Sequence, residues 1–257
     1  MTSYERRQRL LMLLRKEPGL RVPAIAAHLG VSQGTVRNDL NALAEEKMLI
    51  RVHGGAAAVT ENLPLRTSAF TARAVINQAA KQRIAREAAK WIRDGDAILL
   101  DASTSVYHMA SFLSSHRDLR VVTNGLQVAR LLSQNPTNTV ILVGGILRAD
   151  TEAVTGPWSE RFLTDICTKM AFVSCSGFTP ESGMTEVNVY EAQFRLKAIE
   201  AARSVIALID SSKFGSMDLA PSIRPDQISH LITDAALASE WVLRLREAGI
   251  AYTLCNE

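Results

Sequence analysis

"VPAIAAHLGVSQGTVRNDLNAL", residues 22–43, sets a short apolar helix, a glycine turn and a helix with a polar outer face end to end. Pro23 suits a helix's first turn, where the N–H it lacks would have no partner anyway. Ile25, Ala26 and Leu29 recur at the spacing of an inward face. Gly30 supplies the turn, and Ser32 is placed to cap the next helix. Val36, Leu40 and Leu43 then form a buried seam, which leaves Gln33, Thr35, Arg37, Asn38 and Asn41 on the opposite face. A short helix followed at once by such a helix is helix–turn–helix spacing. Arg and Asn are also the side chains that make two-pronged hydrogen bonds to guanine and adenine edges. Side by side on an outer face, they point to DNA reading.

The flanking sequence agrees. Tyr4 to Lys16 carries Leu10, Leu13 and Leu14 at helical spacing, and Glu17-Pro18-Gly19 breaks that helix. Downstream, "MLIRVHGGAAAV" (48–59) alternates briefly and turns at Gly54-Gly55, as a small β-hairpin or wing would. Arg51 and His53 fall on its exposed edge, within reach of phosphate or the minor groove. Residues 1–60 hold nine Lys/Arg against five Asp/Glu, and the remainder twenty against twenty-one. All of the net charge of +3 therefore belongs to the first sixty residues, as a module facing a polyanion requires.

A chain of 257 residues suggests two domains. Its longest apolar runs are too short to span a bilayer, and no secretory-type apolar run follows the first charges. Cys167, Cys175 and Cys255 are odd in number and lack metal-like spacing, so they read as reduced thiols of a cytoplasmic protein. His108 and His116 are isolated, and neither a metal nor a cofactor is expected. Residues 59–76 lack a sustained period and read as a linker, helical toward its end. From residue 77 onward, "AILL", "LRVV", "TVILV", "MAFVS", "SVIALI" and "HLITD" alternate with helical stretches. That order predicts an α/β domain over 77–257 with a mostly parallel sheet.

Polar or glycine-rich loops follow five of these strands. They hold Asp101, Ser103, Thr104 and Ser105; Thr123 and Asn124; Gly144 and Gly145; Ser176 and Gly177; and Lys213. In a parallel sheet all five emerge at one edge, where open α/β folds bind ligands. Hydroxyls and backbone N–H groups ahead of helices favour an anion such as phosphate. Glu186 and Glu191 read as solvated, although Glu191 can reach the crevice.

"VPAIAAHLGVSQGTVRNDLNAL" and "LIRVHGGA" together resemble the DeoR-type winged helix–turn–helix of bacterial sugar-metabolism regulators, over Arg6 to Ala56. "VVTNGLQVA", "VILVGG" and "IDSSKFG" resemble the sensor domain of the same family, itself similar in fold to ribose-5-phosphate isomerase. The resemblance implies a regulator, a repressor of a carbohydrate operon, that binds double-stranded operator DNA through residues 1–58. It also implies a phosphorylated sugar or similar anionic metabolite as effector. Three departures from the family pattern bear on chemistry. The family usually has two arginines before the aspartate, where this chain has Arg37-Asn38, which implies an altered base preference. It commonly reads Asp-x-Gly-Thr-Thr, where this chain has Asp101-Ala102-Ser103-Thr104-Ser105. It also places a lysine four residues after a glutamate, where this chain has Glu191 and Arg195, and arginine holds phosphate or carboxylate in a two-pronged way that lysine does not.

The competing reading is a sugar-phosphate isomerase-like enzyme carrying an accessory DNA-binding module. It would need a general base, with Asp101 or Glu191 as candidates and Lys213 as electrophile, but no pattern in the sequence pairs them. The regulator reading expects no catalytic residue. It does expect a homodimer or homotetramer, because one recognition helix reads too few base pairs to select a genomic site.

Overall fold

The computed structural model describes residues 3–16, 20–45, 49–52, 55–58 and 69–256, and divides into two units, Met1–Gln78 and Ala79–Glu257. In the first unit, helices α1 (Ser3–Lys16), α2 (Val22–Leu29) and α3 (Gln33–Glu45) enclose one apolar cluster. Leu10, Leu11, Leu14, Ile25, Val36, Leu40 and Leu43 form its centre. Pro23 lies in the first turn of α2, and Gly30 ends that helix in the left-handed region at φ 65°, its N–H bonded to the Ala26 carbonyl. That conformation strains any residue with a Cβ. Ser32 caps α3, with its Oγ accepting from the Thr35 N–H at 3.1 Å. Strands β1 (Leu49–Val52) and β2 (Gly55–Ala58) pair as an antiparallel hairpin packed on α1 and α3. His53 and Gly54 lie outside the described residues, as do 59–68 of the linker, while Ala69–Val75 forms helix α4.

Asp39 separates the two faces of α3. It is buried, and it accepts from Arg6 Nε and Nη2 and from Arg7 Nε, the last at 3.2 Å. Burial pushes its carboxyl up, but the Arg6 and Arg7 hydrogen bonds outweigh this and hold its pKa below the ordinary value of 3.8. A depressed folded-state pKa contributes stability that is present above the unfolded value and is lost as pH falls through the folded one. Asp39→Asn is therefore expected to lower the melting temperature of the full chain at pH 7, with a smaller gap to wild type at pH 3. Parallel thermal melts at the two pH values check this.

The second unit includes all but the first residue of helix α5 (Gln78–Ala89). Its alternating core comprises β3 (Ala97–Leu100), α6 (Thr104–Ser111), β4 (Arg120–Thr123), α7 (Leu126–Leu132) and β5 (Thr139–Leu142). A hairpin of β6 (Ile146–Arg148) and β7 (Ala153–Thr155) then leads to α8 (Pro157–Leu163) and β8 (Thr168–Val173). Next come β9 (Gly177–Thr179), β10 (Gly183–Glu186), α9 (Val189–Glu200), β11 (Ala202–Leu208) and β12 (Ala220–Ile223). The unit finishes with β13 (His230–Asp234), α10 (Ser239–Glu247) and β14 (Tyr252–Cys255).

Seven of these strands form one sheet in the order β14-β13-β11-β8-β3-β4-β5, every neighbouring pair parallel. Side chains alternate through it with period two. Ile98 and Leu100 of β3, with Met170 and Phe172 of β8, join the cluster beneath α5, α6 and α7. Leu99 and Ala171 turn the other way, against Leu163 of α8 and Phe194 and Ala198 of α9. Both faces are covered, which is why the strands read as unbroken apolar runs. A smaller antiparallel sheet, β12-β10-β9, stands apart from the main one. No helix among the described residues is long and apolar enough to cross a membrane.

Candidate functional site

The main sheet reverses its winding between β3 and β8. From β3 the chain moves outward through β4 to β5, then returns to the other side of β3 at β8 and proceeds through β11, β13 and β14. The carboxyl ends of β3 and β8 therefore bound a switch point, the position where open α/β sheets hold ligands. Asp101 follows β3 there and Ser174 follows β8. The Ser174 N–H donates to Asp101 Oδ2 at 3.0 Å across the junction, and the Ser103 N–H donates to Oδ1 at 2.8 Å.

Arg195 from α9 closes the crevice from one face. Its Nε donates to Asp101 Oδ2 at 3.0 Å, while Nη1 lies 3.2 Å from Glu186 Oε1 and 3.7 Å from Glu191 Oε2. Its side chain is only 6% exposed. Burial works against its charge, but Glu186, Asp101 and Glu191 together hold its pKa above the ordinary arginine value. Glu186 is itself buried at the end of β10. Desolvation pushes its carboxyl up to about 7, against the opposing pull of Arg195, and Glu191 and Asp101 add to the rise. Ser176 Oγ donates to Glu186 Oε2 at 3.1 Å.

Glu186 corrects the sequence reading, which left it to solvent. Its strand, "GMTE", lacks the alternation that marks a half-buried β-strand, yet all four of its residues are buried. Gly183 is what allows this: at φ 75° its missing Cβ leaves room for the Ile223 carbonyl of β12. Glu191 is also mostly covered, with 12% of its side chain exposed.

The neighbouring loops converge on the same edge. A Cβ on Gly125 would lie 2.9 Å from Ala102 Cα, so the loops after β3 and β4 touch backbone to backbone. Thr123 Oγ1 accepts from the Gly125 N–H at 3.0 Å, and Asn124 Nδ2 donates to the Val154 carbonyl at 3.1 Å. Ser159 Oγ donates to the Gly144 carbonyl at 2.8 Å, and a Cβ at Gly145 would collide with that same hydroxyl. Ser103 caps α6, its Oγ accepting from the Val106 N–H at 3.3 Å, and Thr104 and Ser105 are buried in that helix's first turn. Gly177 lets the Ser216 carbonyl pass where a Cβ would sit 2.5 Å from it.

That contact draws the Lys213 turn toward the crevice. Cys175, fully buried, carries a thiol pushed well above its ordinary pKa by desolvation and by Glu186, and pulled back by Lys213 and Arg195. Lys213 is half-buried and has no ion-pair partner among the described residues, whereas the Arg195 guanidinium is already held by three carboxylates. Asp101 likewise accepts three N–H bonds.

The proposed DNA-contacting residues lie in the other unit. Gln33, Arg37, Asn38 and Asn41 are exposed on α3, with Thr35 half-buried and Ser32 engaged as the cap. Neither Arg37 nor Asn38 has a side-chain partner among the described residues. Arg51 falls on β1, and His53 lies outside the described residues.

Residues 6–62 match the DeoR-like helix–turn–helix domain, and residues 76–235 match the DeoR C terminal sensor domain. The chain is 32% identical to the HTH-type transcriptional regulator GolR of Listeria innocua, over 97% of this chain and 98% of that protein. It is 28% identical to the glycerol-3-phosphate regulon repressor of Escherichia coli, over 99% of this chain and 100% of the repressor. A putative aga operon transcriptional repressor of Escherichia coli O157:H7 is 29% identical, over 99% of this chain and 95% of that protein. Among solved structures, ribose 5-phosphate isomerase from Methanocaldococcus jannaschii aligns with a TM-score of 0.40 at 15% identity, covering 54% of this chain and 55% of that one.

Proposed function

Because this chain belongs to the DeoR family of transcriptional regulators, we propose that it represses a carbohydrate-utilisation operon and releases its operator when a phosphorylated sugar or related metabolite binds. In this reading residues 1–58 hold DNA, 59–76 connect, and 77–257 sense the effector. One observation carries it: a single chain joins a recognition helix whose Arg37 and Asn38 have no side-chain partner among the described residues to a sensor unit whose Lys213 has no ion-pair partner among them. Relatives named as repressors of glycerol-3-phosphate and aga genes support the sign of regulation and the sugar-phosphate class. The effector is bound and not converted. The carboxylates an isomerase would need as base are held on Arg195, and a base so engaged is poorly placed to take a proton from carbon.

The effector and DNA are coupled reciprocally: a ligand that loosens the operator by some factor binds the operator complex more weakly by the same factor. Typical coupling is about 1–3 kcal/mol, roughly 5- to 150-fold. D-ribose 5-phosphate and glycerol 3-phosphate, titrated with and without operator DNA, are expected to include a compound showing that reciprocity without turnover. Lys213→Ala is expected to weaken that compound tenfold or more. Equal affinity with and without operator would end the sensor reading, and unchanged affinity in the variant would remove Lys213 from the site.

The chain works as a dimer or tetramer, with two half-sites about 34–36 Å apart, or a multiple of that, on one DNA face. Sedimentation of the operator complex tests this. A complex holding one protein chain, at full operator affinity, would rule it out.

A further inference from the structure

Two acceptor oxygens at the switch-point crevice are buried without a donor. Glu186 Oε1 and Asn124 Oδ1 have no hydrogen-bond partner among the described residues, and their side chains belong to residues 1% and 3% exposed. A native fold leaves few such groups, and each needs a physical reason. The Asn124 orientation is not interchangeable. Its Nδ2 donates to the Val154 carbonyl, and a flipped amide would set two oxygens against each other there. Glu186 Oε1 has Arg195 Nη1 at 3.2 Å, an ion contact that lacks hydrogen-bond geometry.

Both oxygens lack the same thing, a hydrogen to accept. A fully ionised phosphate monoester or carboxylate on the ligand cannot supply one, and would also meet three carboxylates gathered on one arginine. A hydroxyl can. We infer that Glu186 and Asn124 are the specificity-determining residues of the crevice and take the hydroxylated carbon chain of the effector through its O–H groups. This rests on the effector-sensing reading above and narrows it: the ligand is a polyol or open-chain sugar derivative, oriented with its hydroxyls toward β4 and β10. Its anionic group then faces the other way, toward Lys213, which pairs with no carboxylate among the described residues.

Both oxygens are sealed from solvent, so the ligand replaces a contact and does not fill a void. The contact in question is Arg195 Nη1 on Glu186. Arg195 keeps Asp101 through Nε while Nη1 gives way to a ligand hydroxyl. Ser176, Glu191 and Lys213 are partly exposed, unlike Glu186 and Asn124.

The test compares three probes on the full chain by calorimetry: inorganic phosphate, glycerol 3-phosphate with D-ribose 5-phosphate, and the unphosphorylated polyols glycerol and ribitol. Glu186→Gln keeps the shape of the residue but presents an amide, and is expected to weaken polyol phosphates at least tenfold while moving inorganic phosphate less than twofold. Asn124→Ser, a second and independent change, is expected to show the same split. Lys213→Ala should weaken inorganic phosphate and polyol phosphates alike. Equal losses for all probes in the Glu186 and Asn124 variants, or no loss for any, would overturn the assignment. If wild type bound free polyols but no phosphorylated compound, and Glu186→Gln abolished that binding, the hydroxyl site would stand and the sugar-phosphate reading would fall. Binding of none of these hydroxylated compounds by wild type would overturn the hydroxyl site itself.

Discussion

Arg195→Met is expected to destabilise the second unit by about 3–5 kcal/mol at pH 8, the usual cost of leaving buried charge uncompensated. Methionine fills much of the same volume, so packing is a smaller part of the loss. What remains is Asp101, Glu186 and Glu191 facing one another with no cation between them. The pH dependence separates this from a cavity effect. In wild type, the raised Glu186 pKa contributes stability that is fully present below the unfolded value of about 4.5 and is lost as pH rises through about 7. Removing Arg195 takes away the larger of the two neighbours that hold that pKa down, leaving only the Ser176 hydrogen bond, so the variant loses more on the same rise. The gap between variant and wild type should therefore be wide at pH 8 and narrower at pH 5.5, where Glu186 is neutral. Adding Glu186→Gln to Arg195→Met should restore part of the loss at pH 8. Chemical unfolding at the two pH values reads all three chains. A gap of the same size at both would mean that packing, and not charge, holds α9 to the crevice.

The same cluster shows where the sequence stopped being legible. Strands β3, β4, β8, β11 and β13 are continuous apolar runs because both faces of a parallel sheet are covered, and that pattern survives without any knowledge of partners. The seam of α3 and the Ser32 cap are local too, and were equally readable. The small sheet was not. β9, β10 and β12 have three or four residues each, lean on one another through glycine contacts, and carry no alternation of their own. Glu186 is hidden for that reason: a glutamate two residues after Met184 reads as surface until β12 is seen to cover it. Arg195 is expected at the effector only through the family resemblance, since it stands where the family commonly has a lysine four residues after a glutamate. Its engagement with Asp101, 94 positions away, is a tertiary fact with no local signature. Asp39 is the reverse case. It stands in the middle of the recognition stretch, and only the long-range pairing with Arg6 and Arg7 shows that it anchors α3 to α1.

Because Asp39 holds the inner side of α3, its neighbours Arg37 and Asn38 are presented outward on a helix that is fixed in place. Arg37→Ala is accordingly expected to cost about 1–3 kcal/mol on the specific operator, roughly 5- to 150-fold, and to relax the base preference at the position it reads. Asn38→Ala should do the same at a neighbouring position, and an adenine is the base that a two-pronged asparagine matches best. Arg51 belongs to the hairpin strand β1, and we propose that it meets phosphate. Its replacement by alanine should weaken specific and random DNA alike and reduce the slope of log K against log salt by about 1. The two kinds of contact therefore separate on two axes, sequence and salt. Binding to the operator, to single-base variants of it and to random duplex, each at several salt concentrations, resolves them. Arg37→Ala that lowered operator and random-sequence affinity by equal factors would reassign Arg37 to the backbone and leave Asn38 as the base reader of α3.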